Sequence, residues 1–182
     1  IRPEEKLLFK EIRNRGHELI QIDTRKAVFD LEKDNFYETD AIIDRSISHT
    51  HSLYITKILQ DRNILSINKY EVIKNCGDKV LTSLLLDKNN VPTTKVRVAF
   101  SEKSAMKAIE TLGYPVVLKP GVGSWGRLIS KVESKTSAES LLEHKAVLGT
   151  YHHSIFYIQE FIDKPGRDIR AFVIGDKTIC AI

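Results

Sequence analysis

The sequence predicts an α/β domain followed by an α+β domain. Up to about residue 67, short β-type runs alternate with amphipathic helical patterns, which favours a small parallel α/β unit. After Val91-Pro92 strand-type runs dominate and two helical patterns are interspersed, which is typical of a β-rich sheet with two covering helices. One apolar run there leads into a lysine and a glycine-rich loop, and a second alternating run follows the loop.

The first domain opens with a predicted helix over Pro3–Arg15. Proline suits the first helical turn, Glu4 and Glu5 suit its positive end, and Gly16 ends it. Because a helix stands at the start of the chain, we expect a strand before Ile1. The next predicted elements are a strand over Glu18–Asp23, a strand over Ala41–Asp44, a helix over His51–Asp61 and a strand over Ile64–Ile67.

Glu71–Lys88 reads as two consecutive helices. Gly77 marks the break, and Asp78-Lys79 opens the second helix. A strand over Thr94–Phe100 follows, and Ser101 then caps a helix that Gly113 closes. That helix places Met106, Ile109 and Leu112 on its apolar face.

The remaining elements form the second domain. Strands are predicted on both sides of the glycine loop, ending at Lys119 and Val132, so the loop is the tip of a hairpin. Thr136-Ser137-Ala138-Glu139 predicts a capping box at the start of a helix with Leu141 and Leu142 inward. The last predicted strands are Ile155–Ile162, Ile169–Ile174 and a run after Gly175-Asp176.

Composition excludes several classes of protein. The chain has 182 residues, 42% hydrophobic and 29% charged, with no apolar run long enough for a transmembrane helix and a charged start unlike a signal peptide. Cys76 and Cys180 lack C-x-x-C spacing, so the cytoplasm is expected. The net charge of +4 is dispersed, which argues against nucleic acid. The histidines match no usual zinc spacing, and structural or surface roles are expected for His49, His51, His144, His152 and His153.

The glycine loop suits nucleotide phosphates because glycines let backbone N–H groups approach the oxygens. Gly121, Gly123 and Gly126 match G-x-G-x-x-G, but a strand follows where a Rossmann site needs a helix. A kinase places its phosphate-binding lysine after the loop, whereas Lys119 precedes it. The Gly-Lys-Ser/Thr ending of a Walker A loop is missing. An ordinary glycine-rich hairpin tip remains the alternative from this loop alone.

Five separated motifs together resemble the ATP-grasp ligases of the RimK type. The closest resemblance is to the LysX-type ligases of lysine biosynthesis, and Ile1-Arg2-Pro3-Glu4-Glu5 and Leu142-Glu143-His144-Lys145 also resemble that group. The five motifs are Cys76-Gly77-Asp78-Lys79, Val117-Leu118-Lys119-Pro120, Gly123-Ser124-Trp125-Gly126-Arg127, Tyr157-Ile158-Gln159-Glu160-Phe161-Ile162 and Pro165-Gly166-Arg167-Asp168-Ile169-Arg170.

The resemblance implies an ATP-grasp fold in three parts. We expect an N-terminal parallel α/β pre-ATP-grasp domain over 1–82, a central lid subdomain over 83–160 and the start of a truncated C-terminal subdomain over 161–182. The chain does not begin with Met and stops within an apolar strand-like run, so we expect a fragment of a longer protein. The family's magnesium ligands are expected beyond Ile182 and none within the chain. The fragment alone is therefore expected to be inactive.

The resemblance also implies the residues that contact ATP. Lys79 and Lys119 would contact the phosphates, Asp168 the ribose, and Arg167 or Arg170 the phosphates or an acyl-phosphate, with Arg170 as the catalytic candidate. Backbone groups at 160–162 would meet the adenine edge. The full expected set is Lys79, Lys119, Gly123, Ser124, Trp125, Gly126, Arg127, Leu128, Ile129, Gln159, Glu160, Phe161, Ile162, Asp163, Lys164, Pro165, Gly166, Arg167, Asp168, Ile169 and Arg170.

The implied reaction is an ATP- and Mg²⁺-dependent ligation. ATP would activate the C-terminal glutamate side chain of a small acidic amino-group carrier protein, and the amine of 2-aminoadipate would attack the acyl-phosphate. Glutamate instead of 2-aminoadipate, another RimK-type ligase and a non-catalytic ATP-binding module are the alternatives. We also expect a homo-oligomer, with neither nucleic acid nor a membrane as partner.

Overall fold

A computed structural model describes residues 1–32, 39–123, 128–148 and 155–182. The chain divides into two compact units, Ile1–Lys74 and Asn75–Ile182, and each is described by itself. None of the helices within the described ranges has the length and apolarity needed to cross a lipid bilayer.

The first unit is built on two short parallel strands, as the alternating pattern predicts. Its elements are α1 (Pro3–Asn14), β1 (Ala41–Ile43), α2 (His49–Asp61) and β2 (Leu65–Ile67), and α3 (Tyr70–Gly77) leads into the second unit. Ala41 pairs with Leu65 and Ile43 with Ile67 in the parallel register. Helix α2 buries Ile55, Thr56 and Leu59, so this unit is held together mainly by one helix face.

Helix α1 is tied to the loop after β1 by a charged contact. The Glu5 side chain is only 10% exposed and accepts hydrogen bonds from Arg2 at 2.6 Å and from Arg45 at 2.8 Å. The guanidinium of Arg2 in particular, and then that of Arg45, holds the pKa of Glu5 below its usual value. A carboxylate so enclosed needs both partners, because burying a charge without hydrogen bonds is unfavourable.

The strand predicted over Glu18–Asp23 is wrong. The segment is not paired to any strand within the described residues, and it ends in a turn where Lys26 N–H donates to the Asp23 carbonyl at 2.9 Å. The Asp23 carboxylate also accepts from the Arg25 backbone at 3.1 Å and pairs with the Arg25 side chain at 2.8 Å. A short β-type run was present, but a strand also requires a neighbour for its backbone hydrogen bonds.

The second unit contains a four-stranded antiparallel sheet, in which the strands lie in the order β3 (Val96–Ala99), β6 (Phe156–Glu160), β4 (Val116–Lys119) and β5 (Ser130–Val132). Val116 of β4 lies opposite both Val132 of β5 and Glu160 of β6, and β3 pairs with the other edge of β6. The elements are α4 (Lys79–Lys88), β3 (Val96–Ala99), α5 (Glu102–Leu112), β4 (Val116–Lys119), β5 (Ser130–Val132), α6 (Lys135–Leu148), β6 (Phe156–Glu160), β7 (Ala171–Ile174) and β8 (Lys177–Ala181).

One face of this sheet carries the core, which confirms the prediction of a sheet covered by two helices. Helix α5 contributes Ala105 and Ile109, and helix α6 contributes Ala138 and Leu142. The sheet residues on this face are Ala99, Val116, Leu118, Val132, Phe156 and Ile158. Because side chains alternate along a strand, the intervening residues of β4 and β6 point to the opposite face. That opposite face carries the candidate site.

Two helix starts are informative. The break at Gly77 and the start at Asp78-Lys79 are confirmed, and the Asp78 carboxylate caps α4. The capping box of α6 lies two residues earlier than predicted, because Ser134 and Ser137 exchange side-chain and backbone hydrogen bonds at 3.1 and 3.2 Å. A serine hydroxyl both donates and accepts, so it can fill either role in a capping box.

Strands β7 and β8 form a hairpin at the end of the chain. The Arg170 and Ile182 backbones extend its pairing, with reciprocal hydrogen bonds of 2.8 and 3.0 Å. All residues of both strands are exposed, including Phe172 and Ile174. The strand over Ile169–Ile174, the turn at Gly175-Asp176 and the strand after it were predicted, and the structure contains both strands.

Candidate functional site

Lys119 and Gln159 lie together on the face of the sheet that is not packed against α5 and α6. Lys119 is the last residue of β4, and Gln159 on β6 lies opposite Val117, two residues before Lys119. The Lys119 Nζ donates a hydrogen bond to Gln159 Oε1 at 2.7 Å. The sheet thus presents one ammonium at the point where the chain enters the glycine loop.

Lys79 approaches the same loop from a different element. Asp78 Oδ1 accepts hydrogen bonds from the N–H groups of Val80 at 2.8 Å and Leu81 at 3.2 Å, which fixes the first turn of α4. The Lys79 N–H donates to the Gly121 carbonyl at 2.9 Å, and its Nζ donates to the Gly123 carbonyl at 2.8 Å. A residue 44 positions away in sequence is therefore held against the loop.

Helix α4 is fastened to the sheet by polar and apolar contacts. Ser83 Oγ and the Tyr157 hydroxyl are hydrogen-bonded at 2.8 Å, and Tyr157 is buried. Near the loop, Val80 of α4 and Ile155 approach Gly121 at van der Waals distance from where a Cβ would stand. These contacts carry the start of α4 to the same place as the end of β4.

Gly123 is the loop position that requires glycine. Its φ is +151°, a value that other residues rarely adopt, and an added Cβ would lie 3.2 Å from the Pro120 ring. Its carbonyl oxygen is the group that accepts the Lys79 ammonium. The residues that follow, Ser124–Arg127, are predicted site residues that lie outside the described ranges.

The electrostatics favour an anionic ligand. The pKa of Lys119 is lowered chiefly by burial, and then by the nearby ammonium groups of Lys79 and Lys164. The Asp168 carboxylate opposes this shift. Burial also lowers the pKa of Lys79, against the opposing effect of Asp78. Crowded, partly desolvated ammonium groups are stabilised by a negative ligand, and such shifts gather at functional sites.

The family resemblance implies a hinge over Gln159–Ile162, and part of the backbone of this segment is already paired. Glu160 N–H donates to the Lys95 carbonyl at 3.0 Å, and Phe161 N–H donates to the Pro115 carbonyl at 3.3 Å. The Glu160 carboxylate accepts from the Lys95 N–H at 2.7 Å. These bonds attach the end of β6 to both neighbouring strands. The backbone of this segment is therefore fixed, and its side chains can contact a ligand.

Lys131 was missed by the sequence reasoning. It lies opposite Val117, on the same sheet face as Lys119, and its Nζ lies 4.5 Å from the centroid of the Phe161 ring. Its ammonium also pairs with Glu133 at 2.5 Å. The alternation across β5 indicated the sheet face to which the Lys131 side chain would point. Nothing local in the sequence indicated that Lys131 would contact Phe161.

The remaining predicted site residues within the described ranges are more exposed than Lys79, Lys119 and Gln159. Leu128 has φ +59° and is exposed, as is Ile129. Lys164 pairs with Asp168, whose carboxylate is 88% exposed, and this hydrogen bond lowers the pKa of Asp168. The predicted residues after Phe161 are all exposed, namely Ile162, Asp163, Lys164, Pro165, Gly166, Arg167, Asp168, Ile169 and Arg170.

Comparison with solved structures defines the class as ATP-grasp. A RimK-domain ATP-grasp protein from Sphaerobacter thermophilus superposes with a TM-score of 0.83 at 26% sequence identity, over 94% of this chain and 64% of that one. The resemblance includes both units of the chain. The ATP-grasp fold predicted from the motifs is confirmed.

Family comparison then gives the narrower assignment. A model described as the RimK-like ATP-grasp domain matches residues 76–182, and one described as the LysX preATP-grasp domain matches residues 1–75. This chain belongs to the RimK-like ATP-grasp family, as its motifs predicted.

Curated relatives cover nearly all of the chain. It is 37% identical to the alpha-aminoadipate–LysW ligase LysX of Saccharolobus solfataricus, over 96% of the chain and 64% of the relative. It is 32% identical to the glutamate–LysW ligase ArgX of Sulfurisphaera tokodaii, over 98% of the chain and 63% of the relative. The chain therefore spans less than two thirds of the length of these relatives.

Proposed function

We propose that the protein is an ATP-dependent carboxylate–amine ligase that forms a C–N bond and releases ADP and phosphate. The observation that carries the proposal is the convergence of Lys79 and Lys119 on the glycine loop, from two separate elements. Membership of the RimK-like ATP-grasp family and the ligase names of the relatives support it.

In this proposal the nucleotide phosphates take the place of the present lysine partners. Phosphate oxygens replace the Gly123 carbonyl on Lys79 and the Gln159 amide on Lys119, since an ammonium is a compact donor for anionic oxygens. Backbone N–H groups of the loop over 123–129 complete the phosphate contacts. The lysines hold their places before ATP arrives, which reduces the ordering that binding requires.

The base lies at the other end of the same sheet face, against Phe161 and Ile162. Because the N–H groups of Glu160 and Phe161 already have partners, we assign the base edge to the carbonyl oxygens of the hinge and the N–H of Ile162. Asp168 accepts from the ribose hydroxyls after it leaves Lys164. Arg167 or Arg170 faces the phosphates or the acyl-phosphate.

The chemistry requires no covalent enzyme nucleophile. A carboxylate oxygen of the acceptor attacks the γ-phosphorus of ATP, and the bond to ADP breaks. The unprotonated amine then attacks the acyl carbon, phosphate leaves, and the amine nitrogen loses a proton to give the amide. Lys79, Lys119 and the loop act by holding and neutralising the phosphates, which is the usual protein contribution to phosphoryl transfer.

Magnesium, which the family implies, is assigned no ligands within the part of the chain that is described. Among residues 1–32, 39–123, 128–148 and 155–182 no group of three or more His, Cys, Asp or Glu side chains is arranged to hold a metal ion. No step above is assigned to it.

For substrates we propose the C-terminal glutamate side chain of an acidic amino-group carrier protein and the amine of 2-aminoadipate, in the cytoplasm. Three relatives named alpha-aminoadipate–LysW ligase are 34–37% identical to the chain, and two named glutamate–LysW ligase are 32% identical. Glutamate is therefore the second candidate. The net charge of +4 is compatible with an acidic partner, because opposite charges speed encounter.

The test is an ADP-release assay on the whole protein with the carrier and each amino acid in turn. The proposal predicts release that needs both carrier and amino acid and that is faster with 2-aminoadipate than with glutamate. Faster release with glutamate would reassign the substrate. Release that ignores the carrier, or no release with either amino acid, would refute the carrier-ligase proposal.

A further inference from the structure

We propose that Lys131 is a positioning residue at the base end of the nucleotide site, which fixes the Phe161 ring for contact with adenine. The inference rests on the proposed nucleotide function and adds a residue that this function does not include. It is carried by the contact of the Lys131 ammonium with the face of Phe161, at 4.5 Å from the ring centroid.

The placement of Lys131 follows from the sheet. Val117 lies opposite Lys131 on one side and Gln159 on the other, so all three share the site face. Phe161 follows Gln159 by two residues, and its N–H donates to the Pro115 carbonyl at 3.3 Å. Lys131 therefore reaches across β4, from the strand that returns from the glycine loop to the hinge.

The ammonium also pairs with the Glu133 carboxylate. The Lys131 Nζ and Glu133 Oε1 atoms lie 2.5 Å apart. The Lys131 side chain is 44% exposed, so a ligand can reach this ion pair. A cation over an aromatic face is attracted by the ring quadrupole. With one face of Phe161 covered in this way, the ring edge and the other face are presented to a base.

The two ends of the site face would therefore bind different parts of the nucleotide. Lys119 and the glycine loop mark the phosphate end, whereas Phe161 and Lys131 mark the base end. A change at Lys131 should therefore weaken the binding of anything that contains adenosine, and it should leave a phosphate chain without a base unaffected.

The test compares Lys131→Met with Lys131→Arg in the whole protein. Methionine keeps most of the length of the side chain and removes the charge, and arginine keeps a cation that stacks on an aromatic ring. We expect Lys131→Met to weaken the binding of ADP and of adenosine by the same factor, about two- to fivefold, which corresponds to the loss of an exposed cation–π contact. Inhibition of ADP binding by tripolyphosphate should not change, and Lys131→Arg should stay within about twofold of the parent protein.

Two further variants make the result specific. Lys57→Met removes a lysine that lies 5.7 Å from the Tyr70 ring and 2.6 Å from Asp61, in the first unit, and it should change no nucleotide affinity. Lys131→Met should cause no additional loss in a Phe161→Leu background, because the partner is gone. The unfolding temperature of each variant shows whether the fold has been kept.

The outcomes separate the inference from the proposed function. If ADP and adenosine bind to the parent protein but Lys131→Met does not change either, the inference is wrong. A loss for ADP without a loss for adenosine would also overturn it, because Lys131 would then act at the phosphates. If the parent protein binds neither ligand, the proposed function fails and the inference fails with it.

Discussion

Replacing Asp78 by alanine should loosen the start of α4 and with it the position of Lys79. The Asp78 carboxylate accepts two backbone hydrogen bonds, from Val80 at 2.8 Å and from Leu81 at 3.2 Å, and nothing in alanine can replace it. Loss of such a cap lowers the free energy of unfolding by about 1 kcal/mol, within a range of about 0.5–2. Asparagine keeps the acceptor oxygen, so Asp78→Asn should lose only a few tenths of that amount.

The assay is urea unfolding followed by circular dichroism, together with amide hydrogen exchange at Val80 and Leu81. Asp78→Ala should lower the free energy of unfolding by about 1 kcal/mol and speed exchange at both amides, whereas Asp78→Asn should do neither to a similar extent. ATP affinity should fall for Asp78→Ala, because Lys79 is the next residue. Equal effects of alanine and asparagine, or unchanged exchange at both amides, would refute the reasoning.

Three further predictions concern other contacts. Tyr157→Phe removes the hydrogen bond to Ser83 and should lower the free energy of unfolding by about 0.5–1.5 kcal/mol, an effect that Ser83→Ala should abolish in a double-mutant cycle. The pKa of Lys119 is lowered chiefly by burial, so ATP affinity should begin to fall with rising pH below the usual lysine range near 10.4, and Lys119→Arg should extend binding to higher pH; an unchanged profile in isothermal titration would count against this. The pKa of Glu5 is lowered chiefly by Arg2, so Glu5 stabilises the fold above its usual pKa and this stability is lost as pH falls; Glu5→Gln should flatten the dependence of the unfolding midpoint on pH below the usual glutamate pKa of about 4.3.

Features that depend on local chemistry were predictable. The break at Gly77 and the cap at Asp78 follow from the conformational freedom of glycine and the acceptor of aspartate, and the structure has both. The strand before the glycine loop follows from an apolar run and the strand after it from alternation, and β4 pairs with β5 as predicted. The motif at Lys119 and the break at Gly77 pointed to the family because each has a sequence signature of its own.

Features that depend on distant partners were not predictable in the same way. The short β-type run at Glu18–Asp23 suggested a strand, but no strand among the described residues supplies its backbone partners, and Asp23 instead forms a turn with Arg25. The contact of Lys131 with Phe161 depends on the register of three strands, and no pattern within either segment encodes it. The bond from Phe161 N–H to the Pro115 carbonyl likewise appears only when β6 lies beside β4.

The most direct test of the central claim is calorimetry of ATP and adenosine binding to the parent protein, Lys79→Met, Lys119→Met and the control Lys57→Met. If the two lysines bind phosphates, Lys79→Met and Lys119→Met should each weaken ATP binding by about tenfold or more, the size expected for a hydrogen bond to a charged group. Both should leave the affinity for adenosine unchanged. Lys57→Met should match the parent protein. ATP affinity that survives both substitutions, or an equal loss for ATP and adenosine, would contradict the claim.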